Sequence, residues 1–306
     1  MREFTGVETL IDQSARRLLS QLPRNRVTDA LVEFIVFGLK QGWACLFGGL
    51  LLGLVLLTHL FWPPGYWLAR YDALVAAALL IQAGMLLGRL ETIEEAKIIL
   101  IFHVAGTVME IFKTGVGSWL YPEPSLLRIA GVPLFSGFMY AAVGSYMVRI
   151  QRIFDITFTA YPPFWQTASL AALIYVNFFS HHFLPDFRLG LFALTGLIYW
   201  RTMMFYRVFR FRMRMPILIA FGLVALFIWF GENIGTWSHT WLYPAQVDGW
   251  TLVSWEKLGS WLLLMIISVV LVTAVHKPRR HDPAAETIDS AEAQTNVAAA
   301  FPPSQQ

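Results

Sequence analysis

Long apolar runs, separated by short connections that hold most of the charged residues and prolines, fill the chain from residue 42 to residue 276. About 20 apolar residues are needed for a helix to cross the hydrocarbon core of a bilayer. Backbone groups in lipid must be hydrogen-bonded internally, so helices are expected for such runs. The pattern predicts eight membrane-spanning helices: Gly42–Trp62, Tyr71–Arg89, Lys97–Gly117, Arg128–Val148, Trp165–Leu184, Leu189–Val208, Met215–Gly235 and Glu256–His276.

The two ends of the chain follow different patterns. Between Val7 and Leu22 apolar positions recur at helical spacing, which indicates either an amphipathic helix on the membrane surface or a solvated helical lead-in. The segment has no cleavable leader pattern. Residues 278–306, rich in Ala, Pro, Gln and Asp, are predicted to form a disordered cytoplasmic tail.

One constant offset relates the two halves of the apolar region. Glu110–Pro122 reads EIFKTGVGSWLYP and Glu232–Pro244 reads ENIGTWSHTWLYP, an offset of 122 positions (232 minus 110). His59 and Pro63 recur at the same offset as His181 and Pro185. We therefore predict an all-α polytopic membrane protein in which an N-terminal segment, 1–30, precedes two parallel four-helix repeats, 31–149 and 150–277.

Composition and charge place this chain in a membrane rather than on nucleic acid. Hydrophobic residues make up 57% of the chain, charged residues only 14%, and the mean hydropathy is +0.56, far from a soluble domain. The net charge is +3, and Lys and Arg concentrate in alternate connections. By the positive-inside rule both termini are cytoplasmic in a multi-pass protein of the bacterial inner membrane. The basic run Arg207–Arg214 is either such a topology signal or a site for anionic lipids.

Several kinds of chemistry are disfavoured by the sequence. A single cysteine, Cys45, allows neither an intramolecular disulfide nor a cysteine-based metal site. There is no phosphate-binding glycine loop and no serine nucleophile elbow, so ATP-driven transport by this chain is not expected. No particular cofactor and no oligomeric state is predicted.

Four ionisable residues are predicted to share one layer near the extracytoplasmic ends of the helices. His59 and His181 fall at the ends of the first and fifth spans, and Glu110 and Glu232 near the ends of the third and seventh. Such groups are costly in a membrane, by roughly 2.5–3.5 kcal/mol at a helix centre, and usually face a polar interior or a partner. We predict these four as catalytic acid–base residues, with a metal site as an alternative that we do not adopt.

Other residues of this layer are candidate ligand-binding groups. The aromatic residues that follow each glutamate form either an interfacial belt or a lid lining an apolar substrate slot. The lysines allow a competing interpretation, in which they form structural ion pairs with the glutamates. The candidates are Lys113, Trp119, Tyr121, Trp241, Tyr243 and Lys257.

The chain resembles two known protein families in the stretches quoted below. Through EIFKTGVGSWLYPEP, GVPLFSGFMYAAVGSY and GENIGTWSHTWLYP the chain resembles a bacterial membrane family catalogued as a domain of unknown function (eight-one-seven). A smaller pattern, Gly106, Glu110, Gly115, Tyr121 and Gly131-Val132-Pro133, distantly resembles membrane carotenoid hydratases. That likeness implies water addition to an isoprenoid double bond, with Glu110 as an acid.

Three functions remain open from sequence alone. The first is a membrane enzyme that acts on an apolar lipid or isoprenoid ligand by acid–base chemistry at Glu110 and Glu232, with His59 and His181 as their partners. The second is a secondary carrier of a cation or small solute, and the third is a structural membrane protein without a site.

Overall fold

The chain folds mostly into helices. The computed structural model describes residues 5–23 and 25–282. Their ten α-helices are α1 (Gly6–Gln21), α2 (Arg26–Ala44), α3 (Leu46–Phe61), α4 (Arg70–Leu87), α5 (Ile93–Gly115), α6 (Phe135–Ile153), α7 (Phe164–Ser180), α8 (Arg188–Tyr199), α9 (Ile217–Trp237) and α10 (Trp255–Val275). Five short strands are β1 (Arg128–Ile129), β2 (Val132–Pro133), β3 (Thr157–Thr159), β4 (Met203–Arg207) and β5 (Arg212–Pro216).

Several of these helices suit a bilayer. Within the described residues, α4, α5, α9 and α10 are long and apolar enough to cross a membrane. A fifth span results if α2 and α3 count as one, although they meet at Cys45 with a bend of 70°. Length and composition therefore identify a helical membrane protein with four or five candidate spans.

Helix α5 packs tightly against α6, and glycines make this approach possible. A Cβ added at Gly106 would lie 2.5 Å from Tyr140, and one added at Gly144 would lie 2.7 Å from Phe102. Small residues let helix backbones approach closely where lipid supplies little hydrophobic drive. The start of α5 is fixed by a capping box between Thr92 and Glu95.

The first, fourth and sixth predicted spans differ from the observed helices. The first, Gly42–Trp62, contains the 70° bend at Cys45 that separates α2 from α3. The fourth begins at Phe135 rather than Arg128, because β1 and β2 form a tight hairpin whose turn residues Ala130 and Gly131 have φ of 48° and 83°. The sixth is wrong beyond Tyr199: the chain continues into β4, which pairs with β3 and β5 in an antiparallel sheet. At about 1.5 Å per residue, the 12 residues of α8 fall well short of the roughly 30 Å hydrocarbon core.

The N-terminal region contains more structure than predicted. The predicted helix over 7–22 is confirmed as α1, and a second helix, α2, follows it where no separate element was expected. Buried Glu8 of α1 binds Arg152 of α6 at 2.7 Å and accepts a hydrogen bond from the indole N–H of Trp43 at 3.1 Å. Helix α1 is therefore docked on the protein through a buried charge.

The predicted disordered tail is ordered at its start. Arg279 pairs with Asp155 at 2.8 Å, and the buried ring of His281 stacks on Phe205 at 3.8 Å. The backbone N–H of His281 also donates to the carbonyl oxygen of Phe158. Residues 278–282 thus pack on the sheet, while 283–306 lie outside the described residues.

Candidate functional site

Glu110 lies on the last turns of α5 and is almost completely buried, with 5% of its surface exposed. One carboxylate oxygen accepts hydrogen bonds from the indole N–H of Trp119 and the phenol of Tyr121, each at 2.6 Å. The other oxygen accepts the phenol O–H of Tyr140, from α6, at 2.7 Å. Three neutral donors therefore hold this carboxyl group.

Glu232 lies on α9, with 7% of its surface exposed, and is held in the same manner. The indole N–H of Trp241 donates to its Oε1 at 3.1 Å, and the phenol O–H of Tyr243 donates to the same oxygen at 2.6 Å. The indole of Trp261, from α10, also interacts with this carboxyl group. In both segments an indole donor follows the glutamate by nine positions and a phenol donor follows it by eleven.

The two loops that carry these donors are joined directly. Leu120 and Leu242 form an antiparallel bridge with N–H to carbonyl distances of 2.9 and 3.0 Å. The rings of Trp119 and Tyr243 meet edge to face at 6.2 Å. The two glutamates are close enough to interact electrostatically. Burial, with the facing carboxylates, holds the phenol pKa of Tyr121 and of Tyr243 well above its usual range, so both remain hydrogen-bond donors.

A cavity of about 130 Å³ lies beside this pair, between α5, α6, α7 and α10. Tyr140 and Tyr243, the phenols bonded to Glu110 and Glu232, both line it. Trp119 and Trp261 line it as well, whereas the glutamates lie behind the rings. The cavity thus faces phenols, each of which is bonded to a different buried carboxyl group.

The structure does not form the ion pairs considered from the sequence. The Nζ atom of Lys113 lies 3.0 Å from Nε2 of His182 and 3.9 Å from the ring centre of Phe178. The Nζ atom of Lys257 lies over the ring of Tyr243 at 4.4 Å. Within the described chain neither lysine forms a salt bridge with a glutamate, because both ammonium groups turn toward the cavity and its aromatic rings.

The histidines are not the partners of the glutamates. The ring of His59 packs against Trp237 at 5.3 Å and is stacked on His239 at 6.1 Å, in a separate pocket. His181 lines the cavity, and its Nδ1 lies 2.9 Å from the carbonyl oxygen of Asn177. The part of the chain that the structure describes contains no cluster of three or more His, Cys, Asp or Glu suited to a metal ion.

Tyr140 and Trp261 were missed from the sequence. Tyr140 belongs to the stretch GVPLFSGFMYAAVGSY, but no polar spacing links it to Glu110, which is on the preceding helix. Trp261 stands 121 rather than 122 positions after Tyr140 (261 minus 140), because the loop before α10 differs in length from the loop before α6.

Fold and site together define a polytopic helical membrane protein with two buried, aromatic-bonded carboxyl groups. The family model described as "Protein of unknown function (DUF817)" matches residues 33–269, and the chain belongs to this family. It is 40% identical over 260 residues to "Uncharacterized protein YoaT" of Bacillus subtilis (strain 168), covering 85% of this chain and 98% of that protein. No solved structure matches the chain. The resemblance to carotenoid hydratases is not shown by these comparisons.

Proposed function

We propose that this protein is a membrane enzyme that acts on a lipid by acid–base chemistry at Glu110 and Glu232. The observation that carries the proposal is the pair of phenols, Tyr140 and Tyr243, which line one cavity while each donates to a different buried carboxyl group. An acid–base residue must lie within hydrogen-bond reach of the proton that it moves. Here the phenol reaches the ligand and the glutamate reaches the phenol.

Each phenol and its glutamate act as one unit in this proposal. With the carboxyl group protonated, its O–H donates to the phenol oxygen at 2.6 or 2.7 Å, so a proton that the phenol gives to a bound lipid is replaced from the carboxyl group, which is left as a carboxylate. In the reverse direction the phenol gives its proton to the carboxylate and takes one from the lipid. The remaining donors, Trp119 and Tyr121 on Glu110, keep the carboxyl group in place. Positioned proton transfer of this kind typically contributes 10²–10⁴-fold to a rate.

We also propose that α3–α6 and α7–α10 are two copies of one four-helix unit, and that the two units enter the membrane in the same orientation. Support comes from the 122-position offset and from the bridge between Leu120 and Leu242, residues that stand 122 apart. The matched spacing of the Trp and Tyr donors supports the same proposal. The distribution of Lys and Arg supports cytoplasmic termini and a bacterial inner-membrane location.

Untargeted lipid analysis tests the enzyme proposal. Cells lacking the protein are complemented with the wild type, Glu110→Gln, Glu232→Gln or Tyr140→Phe. We expect a lipid that accumulates without the protein to disappear with the wild type and to persist with the three variants. Glu94→Gln is the matched control, because exposed Glu94 lies at the other end of α5 in a surface pair with Lys97.

The same lipid profile in all strains, with each variant present in the membrane at wild-type level, would contradict the enzyme proposal. A carrier of a cation or small solute would instead change uptake into vesicles that contain the purified protein. Flux that depends on Glu110 and Glu232 without any change in lipids would favour that alternative.

A further inference from the structure

The same cavity has a charged end and an apolar end. Lys113, Arg188 and Lys257 line it together with one acidic residue, Glu256. Arg188 is neutralised by Asp186 at 2.8 Å, which leaves the two lysines as the cations that face the cavity without a salt bridge in the described chain. A cluster of this kind attracts negative charge.

Lys113 gives the strongest indication that negative charge belongs in the cavity. Its surface is only 4% exposed, yet its Nζ atom meets an imidazole nitrogen and an aromatic ring rather than a carboxylate. The nearby ammonium group of Lys257 repels it further. Burying a cation is costly unless an opposite charge or a full set of hydrogen bonds compensates. Asp186 attracts this ammonium group without forming a salt bridge to it, and an anion in the cavity would supply the close opposite charge that it lacks.

The other end of the cavity is suited to hydrocarbon. Ile174 of α7 and Leu263 and Leu264 of α10 line it. Along α10 these leucines stand six and seven positions beyond Lys257, which corresponds to roughly 10 Å at 1.5 Å per residue. A ligand that reaches from the lysines to the leucines must be charged at one end and apolar at the other.

We propose that the cavity binds an anionic amphiphile, with Lys113 and Lys257 holding a carboxylate or phosphate head group and the chain lying along α7 and α10. This inference rests on the proposed function and names the substrate class of that site. The phenols of Tyr140 and Tyr243 would then meet the ligand near its head group. The reaction would take place on atoms close to the charged end rather than in the middle of the chain.

Quenching of tryptophan fluorescence tests this, since Trp119 and Trp261 line the cavity. The full chain is placed in nanodiscs of zwitterionic lipid and titrated with 9,10-dibromostearate, with the corresponding dibromostearyl phosphate, and with the neutral dibromostearyl alcohol. We expect at least one of the two anionic probes to bind about tenfold or more tightly than the alcohol. Whichever anion binds better identifies the head group as carboxylate or phosphate.

Variants test whether the charges of Lys113 and Lys257 cause the preference for anions. In the double variant Lys113→Gln with Lys257→Gln we expect the anionic probes to bind no better than the alcohol. Lys113→Arg should keep the preference, which shows that the charge matters rather than the particular side chain. Lys97→Gln, at the opposite end of α5, is the matched control and should bind as the wild type does.

Equal binding of both anions and the alcohol to the wild type would overturn the inference, as would an unchanged preference in the folded double variant. Trp119→Phe combined with Trp261→Phe should remove the part of the quenching by which the anions exceed the alcohol, and an excess that persists would place the anion site elsewhere and overturn the inference too. Binding does not require turnover, so Glu110→Gln should still prefer the anions. An unchanged lipid profile in cells therefore overturns the enzyme proposal separately from this one.

Discussion

Glu110 and Glu232 share two hydrogen-bond donors at the same spacing, whereas the third ring at each carboxyl group and the supports of the exit loops differ. Both accept an indole N–H nine positions later and a phenol O–H eleven positions later. Glu110 gains a third strong donor, Tyr140, while the third ring near Glu232 is the indole of Trp261. The Trp and Tyr donors at these two spacings are therefore what the two segments share.

The supports behind these contacts differ. In the first segment the carboxylate of Asp72 accepts the backbone N–H groups of Leu126 and Leu127, each at 2.8 Å, and so braces the exit loop. In the second, Asn233 accepts the backbone N–H of Val253 at 2.9 Å. Two different braces thus hold two exit loops whose Trp and Tyr donors have the same spacing from the glutamate.

Removing each acceptor should give the largest effect. Glu110→Leu keeps most of the volume but leaves three buried donors, Trp119, Tyr121 and Tyr140, without an acceptor, at about 1–3 kcal/mol for each. Glu232→Leu leaves only two such donors, Trp241 and Tyr243, without an acceptor. We expect both variants to lower the thermal midpoint in detergent, and Glu110→Leu to lower it more. Equal losses would contradict the view that Tyr140 makes the first segment stronger.

Filling the space behind the rings should give the next largest effect. A Cβ at Gly235 would lie 2.0 Å from the ring of Trp241, whereas one at Gly231 would meet nothing within 4 Å. Because overpacking typically costs about 1–3 kcal/mol, Gly235→Ala should displace Trp241 and destabilise the protein. Gly231→Ala, on the same helix, should be neutral or stabilising, since alanine favours helices over glycine. Thermal unfolding of both variants is the measurement, and equal midpoints would contradict the close contact.

The hydrophobic pattern predicted the helical membrane character of the chain, and the repeated polar residues predicted that Glu110 and Glu232 share one layer and that the following Trp and Tyr residues form either an interfacial belt or a lid. These features follow from local sequence: apolar runs give helices, and fixed spacing along one helix and its exit loop gives the donors. The histidines were wrong as partners. Shared depth in a membrane does not bring side chains together, because the direction around each helix axis depends on packing that the sequence does not display.

The β4–β5 hairpin shows a second reason for error. The run Met203–Arg207 is apolar enough to extend a predicted helix, but its aromatic residues and short length also suit a strand, and a short apolar run does not distinguish the two. Pairing with Thr157–Thr159, more than 40 positions away, decides the outcome. Tyr140 was missed for the same reason, since its bond to Glu110 joins two helices.

Removing single phenol groups should have smaller effects. It should also separate a phenol that only holds the carboxyl group from one that also takes part in the reaction. Tyr121 and Tyr243 occupy matched positions, but only Tyr243 lines the cavity. Each change to Phe removes one hydrogen bond to a carboxyl group, at about 1.5–3 kcal/mol, so similar losses of thermal stability are expected. Tyr243→Phe should change the cellular lipid profile more than Tyr121→Phe does. A larger change with Tyr121→Phe would contradict the proposal that the reactive phenol lines the cavity.

The smallest expected effect concerns a position that differs between the segments: Leu60 in the first corresponds to His182 in the second, 122 positions later. Desolvation, with the positive charges of Lys113, His181 and Lys257, lowers the pKa of His182 below its ordinary value of about 6.5. The unfolded chain therefore takes up this proton first. The stability that neutral His182 contributes is complete above about pH 6.5 and is lost as the pH falls through that value toward the lowered pKa. His182→Gln should reduce the fall in thermal midpoint between pH 7.5 and pH 5, and only slightly because the ring is exposed. An identical pH dependence in the wild type and the variant would show that the lysine cluster does not act on this ring.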